Sequence, residues 1–292
     1  MSSLRGIIAH RGASAWAPEN TMAAFEKAVE LGAEAIEVDV QLTADRVLVV
    51  LHDDTLDRTT NGSGPLNRNT LAQLKDLDAG SWFDSKFAGE QIPTLKEVLV
   101  WARGRCRVDI EVKTRTAREI PVQDFARIIN EADMESQVAI TSFERDFVEA
   151  LQRYCPRLEV GLLISPLPPL KLGLLRGAVV APVVFQVACK LFKCLPTAVA
   201  LSLLGGTLAL ISTWLRELNK LKGVAESLDA DALLPHWLVL SRSLAVAAKT
   251  RGLTLVTWTV NKGFLARYFK KLGVDGIITD KPDVISGPYE RT

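Results

Sequence analysis

Histidine is scarce in this 292-residue chain, with three copies, and its four cysteines (Cys106, Cys155, Cys189, Cys194) form no CxxC pair and no Cys/His grouping. That spacing offers no structural zinc site and fits a reduced chain. Net charge is almost absent as well: 35 Lys+Arg oppose 34 Asp+Glu, a formal +1. Without a global positive footprint, a nucleic-acid partner is not expected. The N-terminal MSSLRGIIAHRG reaches a working motif within ten residues and leaves no room for a signal peptide, so a cytoplasmic location is expected. What is abundant is apolar: 48% of the residues, enough for a sizeable core and against wholesale disorder.

Mean hydropathy is nonetheless +0.15, high for a soluble enzyme. The charge balance also averages two unlike parts. Residues 160–225 hold seven basic residues against the single acid Glu217, a local +6 that leaves −5 for the rest.

Short β-rich runs alternate with helical patterns from the start. Strands are expected over 6–10, 35–40, 46–52, 107–113, 137–142, 158–164, near 229–234, 253–260 and 274–279. Alternation over this length predicts one α/β domain, 1–292, built as an irregular (β/α)8 TIM barrel. Nine strands are one too many for eight. The link between the second and third is also too short for a helical crossover, so one unit is expected to be degenerate. Two stretches break the alternation: a polar, turn-rich loop insertion over 53–94, after strand 3, and an apolar helical insertion over 165–225, after strand 6. Both would rise from the barrel face that carries active sites.

A fully buried barrel strand should read as a continuous apolar run, and two here do not. In AIEVDV, Glu37 and Asp39 share the face opposite Ile36, Val38 and Val40; in RVDIEVK, Asp109, Glu111 and Lys113 oppose Ile110 and Val112. Packing the apolar faces on helices turns the carboxylates into the barrel, where they need a cation. An all-oxygen set of Glu37, Asp39 and Glu111 suits one divalent ion, Mg²⁺ or Ca²⁺, with Mn²⁺ also accommodated. Asp109 is expected to lie too deep to ligate. His10 and His52 each close a strand and could act as general base and general acid, in either assignment. Arg11 and Lys113 add fixed positive charge. Together these groups match the needs of phosphoryl-ester cleavage. His236, between Pro235 and Trp237 with no charged neighbour, reads as a surface or helix-start residue.

These residues sit in motifs that follow one another in order: HRGASAWAPENT (10–21), EVDVQLTAD (37–45), LHDDTLDRTTNGSG (51–64) and LDAGSWF (77–83). IPTLKEVL (92–99), IEVK (110–113), TWTVN (257–261) and GVDGIITDKPD (273–283) complete the series. The chain strongly resembles the glycerophosphodiester phosphodiesterase family in its compact bacterial-type form, over 5–165 and again from about 227 to 285. The resemblance implies a TIM barrel with Glu37, Asp39 and Glu111 as metal ligands and His10 and His52 as the acid/base pair. It further implies Arg11 and Lys113 as phosphate-binding cations and Trp258 as an aromatic lining the substrate pocket. The implied hydrolysis yields sn-glycerol 3-phosphate and an alcohol, with attack by the glycerol 2-hydroxyl through a cyclic intermediate as one route. One departure is Arg46, where the family usually has Gly, which puts the geometry of that turn in question.

The short motifs give no guide to 165–225. From Cys194 to Leu215 there are 22 residues without a charge, long enough for a membrane span. A single span is excluded because strands on both sides must join one barrel, and the only second segment, 172–192, has too short an uncharged core. Two readings remain: apolar helices packed on the barrel or in a homodimer interface, or a peripheral membrane element with basic side chains toward anionic headgroups at the inner membrane face. The second makes lysophospholipase D activity on lysophospholipids the alternative function. A catalytically dead barrel that only binds lipid or a partner is argued against, since every catalytic-type position is filled.

Overall fold

The computed structural model describes residues 2–165 and 220–290. Among the described residues nine strands lie in one sheet: β1 (Gly6–His10), β2 (Ala35–Leu42), β3 (Leu48–Val50), β4 (Arg107–Val112), β5 (Val138–Ser142), β6 (Glu159–Ile164), β7 (Ala232–Pro235), β8 (Thr254–Thr257) and β9 (Gly276–Thr279). Their order is β1-β9-β8-β7-β6-β5-β4-β2-β3, and a β1–β2 pairing closes the ring. Every pairing in the ring is parallel, whereas β3 pairs antiparallel with β2 and stands outside it. The barrel is therefore eight-stranded, and the surplus strand is the return arm of a β2–β3 hairpin. That resolves the count of nine.

Helices α1 (Met22–Glu30), α2 (Leu71–Lys75), α3 (Leu95–Ala102), α4 (Thr114–Glu119), α5 (Val122–Glu131) and α6 (Arg145–Tyr154) belong to the first half. In the second, α7 (Arg242–Thr250), α8 (Gly263–Lys271) and α9 (Pro282–Glu290) follow β7, β8 and β9. Side-chain caps start several of them. Thr94 and Glu97 form a reciprocal capping box on α3, and Ser241 caps α7, devices worth about 1 kcal/mol each.

Strand alternation divides the core into two layers. Ile7, Ala9, Ile36, Val38, Ile110 and Val112 face outward and pack with helix residues such as Phe25, Leu99 and Phe125. Ile8, Ala35, Ala139, Leu234, Val256 and Ile278 face inward and plug the lower barrel. The apolar face of β2 and β4 thus meets helices, which leaves Glu37, Asp39 and Glu111 to the interior above that plug. Between β3 and α3 the chain builds a small core of its own from Leu51, Leu56, Leu66, Leu74, Ala79 and Ile92.

The apolar segment expected over 165–225 lies almost wholly outside the described residues. Residues 220–227 are helical, with Ala225 buried and Leu221 and Val224 against the main core. Among the described residues no helix is long and apolar enough to cross a membrane.

Candidate active site

Residues near the C-terminal ends of β1, β2, β4, β5, β6, β8 and β9, or just past them, reach the same end of the barrel. A cavity of about 170 Å³ there is lined by His10, Arg11, Glu37, His52, Glu111, Lys113 and Trp258, so seven of the eight residues singled out in the sequence share one wall. The eighth, Asp39, is buried directly behind, bonded to Lys113.

Local backbone explains the placement of the cations. Arg11 follows β1 in a left-handed conformation (φ 57°), which points its own N–H at Glu37 Oε2, 2.9 Å away. Gly12 next to it is also left-handed (φ 79°), and a Cβ there would meet the Ala24 backbone at 2.6 Å. No other residue fits that close approach of the loop to α1. The Arg11 side chain turns back to Asp39 Oδ2, at 3.2 Å, and donates from Nη1 to Glu19, at 2.8 Å. Lys113 donates to Glu111 at 2.7 Å and to Asp39 at 3.3 Å.

The three acidic residues offer oxygens within 4.8 Å of one another. Burial pushes the Glu37 carboxyl well above its ordinary range, and the charges of Asp39 and Glu111 push it further. Burial and Asp39 raise Glu111 in the same way. Asp39 goes the opposite way: burial opposes its ionisation, but Lys113 and Arg11 outweigh that and hold it well below the usual carboxylate range. Glu37 Oε1 is buried with no hydrogen-bond partner. A crowded carboxylate set with an unsatisfied oxygen fits a hard divalent cation. Asp109 sits on the cavity floor, takes a hydrogen bond from Thr141 at 2.8 Å and is raised by burial to about 8; it is not part of the clustered set.

Both histidines are oriented through Nδ1. His10 bonds Asp280 at 2.6 Å, and Asp280 also receives Ser14 Oγ and Asn261 Nδ2. His52 bonds Asp53 at 2.7 Å. Each pairing leaves Nε2 as the free ring nitrogen, the arrangement that suits proton transfer. The two histidines reach the mouth by different routes, however. The sequence reading treats their strand ends as equivalent, but β3 runs antiparallel, so His52 arrives where the hairpin descends again to the level of Asp39.

His236 corrects the sequence reading. It is neither a surface nor a helix-start residue: it directly follows β7 in a bridge to Trp258, half-buried, with its ring edge-on to that indole at 4.9 Å. Burial depresses its imidazole to about 4. Trp258 is held between His236 and Phe143, and its indole N–H donates to the Leu234 carbonyl at 2.7 Å. Strand parity could have found it, since 232, 234 and 236 alternate into the barrel as 256 and 258 do. The turn at Arg46 keeps the left-handed geometry (φ 60°) that a Gly would take more easily. Asp53, Glu19, Asn20, Arg58, Asn261 and Asp280 all lie within the quoted motifs; sequence reasoning assigned them no part because nothing local shows what they touch.

Comparison with known proteins bears on the family and the fold. The model of the "Glycerophosphoryl diester phosphodiesterase family" matches residues 10–186 and 189–284, and so runs through the segment where short motifs fail. A glycerophosphodiester phosphodiesterase of Caldanaerobacter subterraneus is 35% identical over 281 residues, 96% of this chain and 95% of that protein. The crystal structure of a glycerophosphodiester phosphodiesterase from Agrobacterium tumefaciens superposes with a TM-score of 0.69 at 27% identity, covering 97% of this chain and 100% of that one. An Oleispira antarctica phosphodiesterase, solved in complex with the product sn-glycerol-3-phosphate, gives 0.73 at 25% identity, with coverage of 98% and 97%. From barrel, site and length-spanning similarity alike, this chain belongs to the glycerophosphoryl diester phosphodiesterase family.

Proposed function

We propose that the protein hydrolyses glycerophosphodiesters to sn-glycerol 3-phosphate and an alcohol. The observation that carries this reading is one cavity lined by two carboxylate-oriented histidines, two cations and two carboxylates, Glu37 and Glu111, that cluster with Asp39 behind them. Glu37, Asp39 and Glu111 are the residues to hold a divalent cation, Mg²⁺ or Ca²⁺, which when bound would polarise a phosphoryl oxygen. Arg11 and Lys113 hold the negative charge of the phosphodiester. One free imidazole Nε2 accepts the proton of the attacking hydroxyl, from water or from the glycerol 2-position, and the other gives a proton to the leaving alkoxide oxygen. Where the 2-hydroxyl attacks, water then opens the cyclic phosphate with the two imidazoles in reversed roles, which returns the 2-hydroxyl its proton. Asp280 and Asp53 keep each ring in the tautomer that this exchange requires. Trp258, braced from both sides, forms an apolar wall for the glycerol carbons.

The test is hydrolysis of glycerophosphocholine, with and without EDTA, by wild type and Glu37→Ala. Activity abolished by EDTA and restored by Mg²⁺ or Ca²⁺, with Glu37→Ala down at least about 100-fold, is the expected result. EDTA-insensitive turnover or a fully active Glu37→Ala would overturn the metal-dependent mechanism. The lysophospholipase D alternative rests on 165–225, of which 166–219 lie outside the described residues; no geometry among the rest favours it.

A further inference from the structure

Arg58 is not part of the cavity wall, yet all three of its guanidinium nitrogens are committed next to it. Nε donates to Asp53 Oδ2 at 2.6 Å and Nη2 to Asp53 Oδ1 at 3.0 Å. On its other side Nη1 donates to Glu19 Oε2 and Nη2 to Glu19 Oε1, both at 2.8 Å. The same Asp53 Oδ1 bonds His52, and the same Glu19 Oε1 receives Arg11. One planar fork therefore joins the partner of a cavity histidine to the partner of a cavity cation.

We infer that Arg58 is a positioning residue that sets the orientations of His52 and Arg11 together, through Asp53 and Glu19. The inference rests on the roles proposed above for His52 and Arg11. Its physical basis is the geometry of two carboxylates brought within reach of a single side chain. Without a cation between them they repel, and each is free to swing away from the residue it holds. A guanidinium can satisfy both carboxylates bidentately, while a lysine ammonium is a point charge that cannot.

The side chain also projects from a fixed base. Leu56 is buried in the small core between β3 and α3, Thr59 and Thr60 are buried, and Thr60 Oγ1 donates to the Leu56 carbonyl at 2.7 Å. Arg58 itself is 44% exposed, so its ion pairs add little to global stability. Orientation and stability are therefore separable by experiment.

The experiment compares Arg58→Ala and Arg58→Lys with wild type on glycerophosphocholine with metal supplied, alongside thermal unfolding. Arg58→Ala should lose about 10- to 100-fold in kcat/KM with the melting temperature little changed. Arg58→Lys should fail to rescue, and millimolar methylguanidinium should restore part of the Arg58→Ala activity. In an Asp53→Asn/Glu19→Gln background, adding Arg58→Ala should cost less than about twofold more, because the residues through which it acts are already gone. Wild-type kcat/KM in Arg58→Ala would overturn the inference. So would full rescue by lysine, or a multiplicative further loss in the double background. A wild-type enzyme with no activity on any glycerophosphodiester would instead overturn the functional reading.

Discussion

Chemically similar side chains at the barrel mouth are driven in opposite directions by their neighbours. Asp39 is ionised because Lys113 and Arg11 outweigh its burial, whereas Glu37, two residues away on the same face, is pushed up by burial and by Asp39 itself. Asp109, level with Glu37 on the neighbouring strand and bonded by Thr141, is raised to about 8 by its burial and stays largely neutral near pH 7. His236 offers a test away from the acidic cluster. Its imidazole titrates near 4 when folded against 6.5 in the unfolded chain, so the folded state binds fewer protons between those values. Stability that is present above pH 6.5 is therefore lost as pH falls toward 4. Urea midpoints of wild type should fall across that window more steeply than those of His236→Gln, which has no proton to gain. Parallel curves for the two proteins would show that His236 is accessible to solvent and titrates normally.

Among the secondary elements, the β2–β3 hairpin does the least expected work. Its return arm removes one strand from the ring and delivers His52 back to the height of Asp39, with Leu51 N–H donating to the Asp39 carbonyl at 3.0 Å. The tight turn that makes this possible places Arg46 at φ 60°, where a Cβ is strained. Arg46→Gly should be neutral to stabilising by up to about 1 kcal/mol, even though the exposed bond from Arg46 Nη2 to the Glu119 carbonyl is lost. Arg46→Val, β-branched at a left-handed position, should destabilise by about 1–2 kcal/mol. Urea unfolding of both variants checks the pair; a stable Val variant would mean that the turn can relax to another conformation. The nine strands were legible because each is a short β-rich run between helical patterns. That the third runs backward was legible only indirectly, from a link too short for a crossover.

For the molecule as a whole, closing the ring between β1 and β2 brings β1, β2 and β4 side by side, with Glu37 level with both His10 and Asp109. Concentrating three carboxylates there raises two of them, a cost of apposed charge that a bound cation would remove. Mg²⁺ or Ca²⁺ added to EDTA-treated protein should therefore raise its melting temperature in a concentration-dependent way. At a hundredfold excess over Kd the gain is about 2.7 kcal/mol. Glu37→Gln should abolish most of that shift. A melting temperature indifferent to both ions would remove the metal from the site regardless of any activity measurement.

The sequence by itself determined the barrel and the inward face of β2 and β4, and it singled out eight residues of which seven line one cavity and Asp39 lies behind it. It could do so because alternation of period two and ordered motifs are local properties of the chain. Only the tertiary structure decided what orients them. Asp280 lies 270 residues from His10, and Arg58 lies 39 from Glu19, so no spacing rule links them. The same holds for His236, whose lack of charged neighbours in sequence suggested the surface while β8 brings Trp258 against its ring. Contacts between distant segments depend on ring closure and register, and these are fixed by the packing of the whole barrel rather than by any stretch of it.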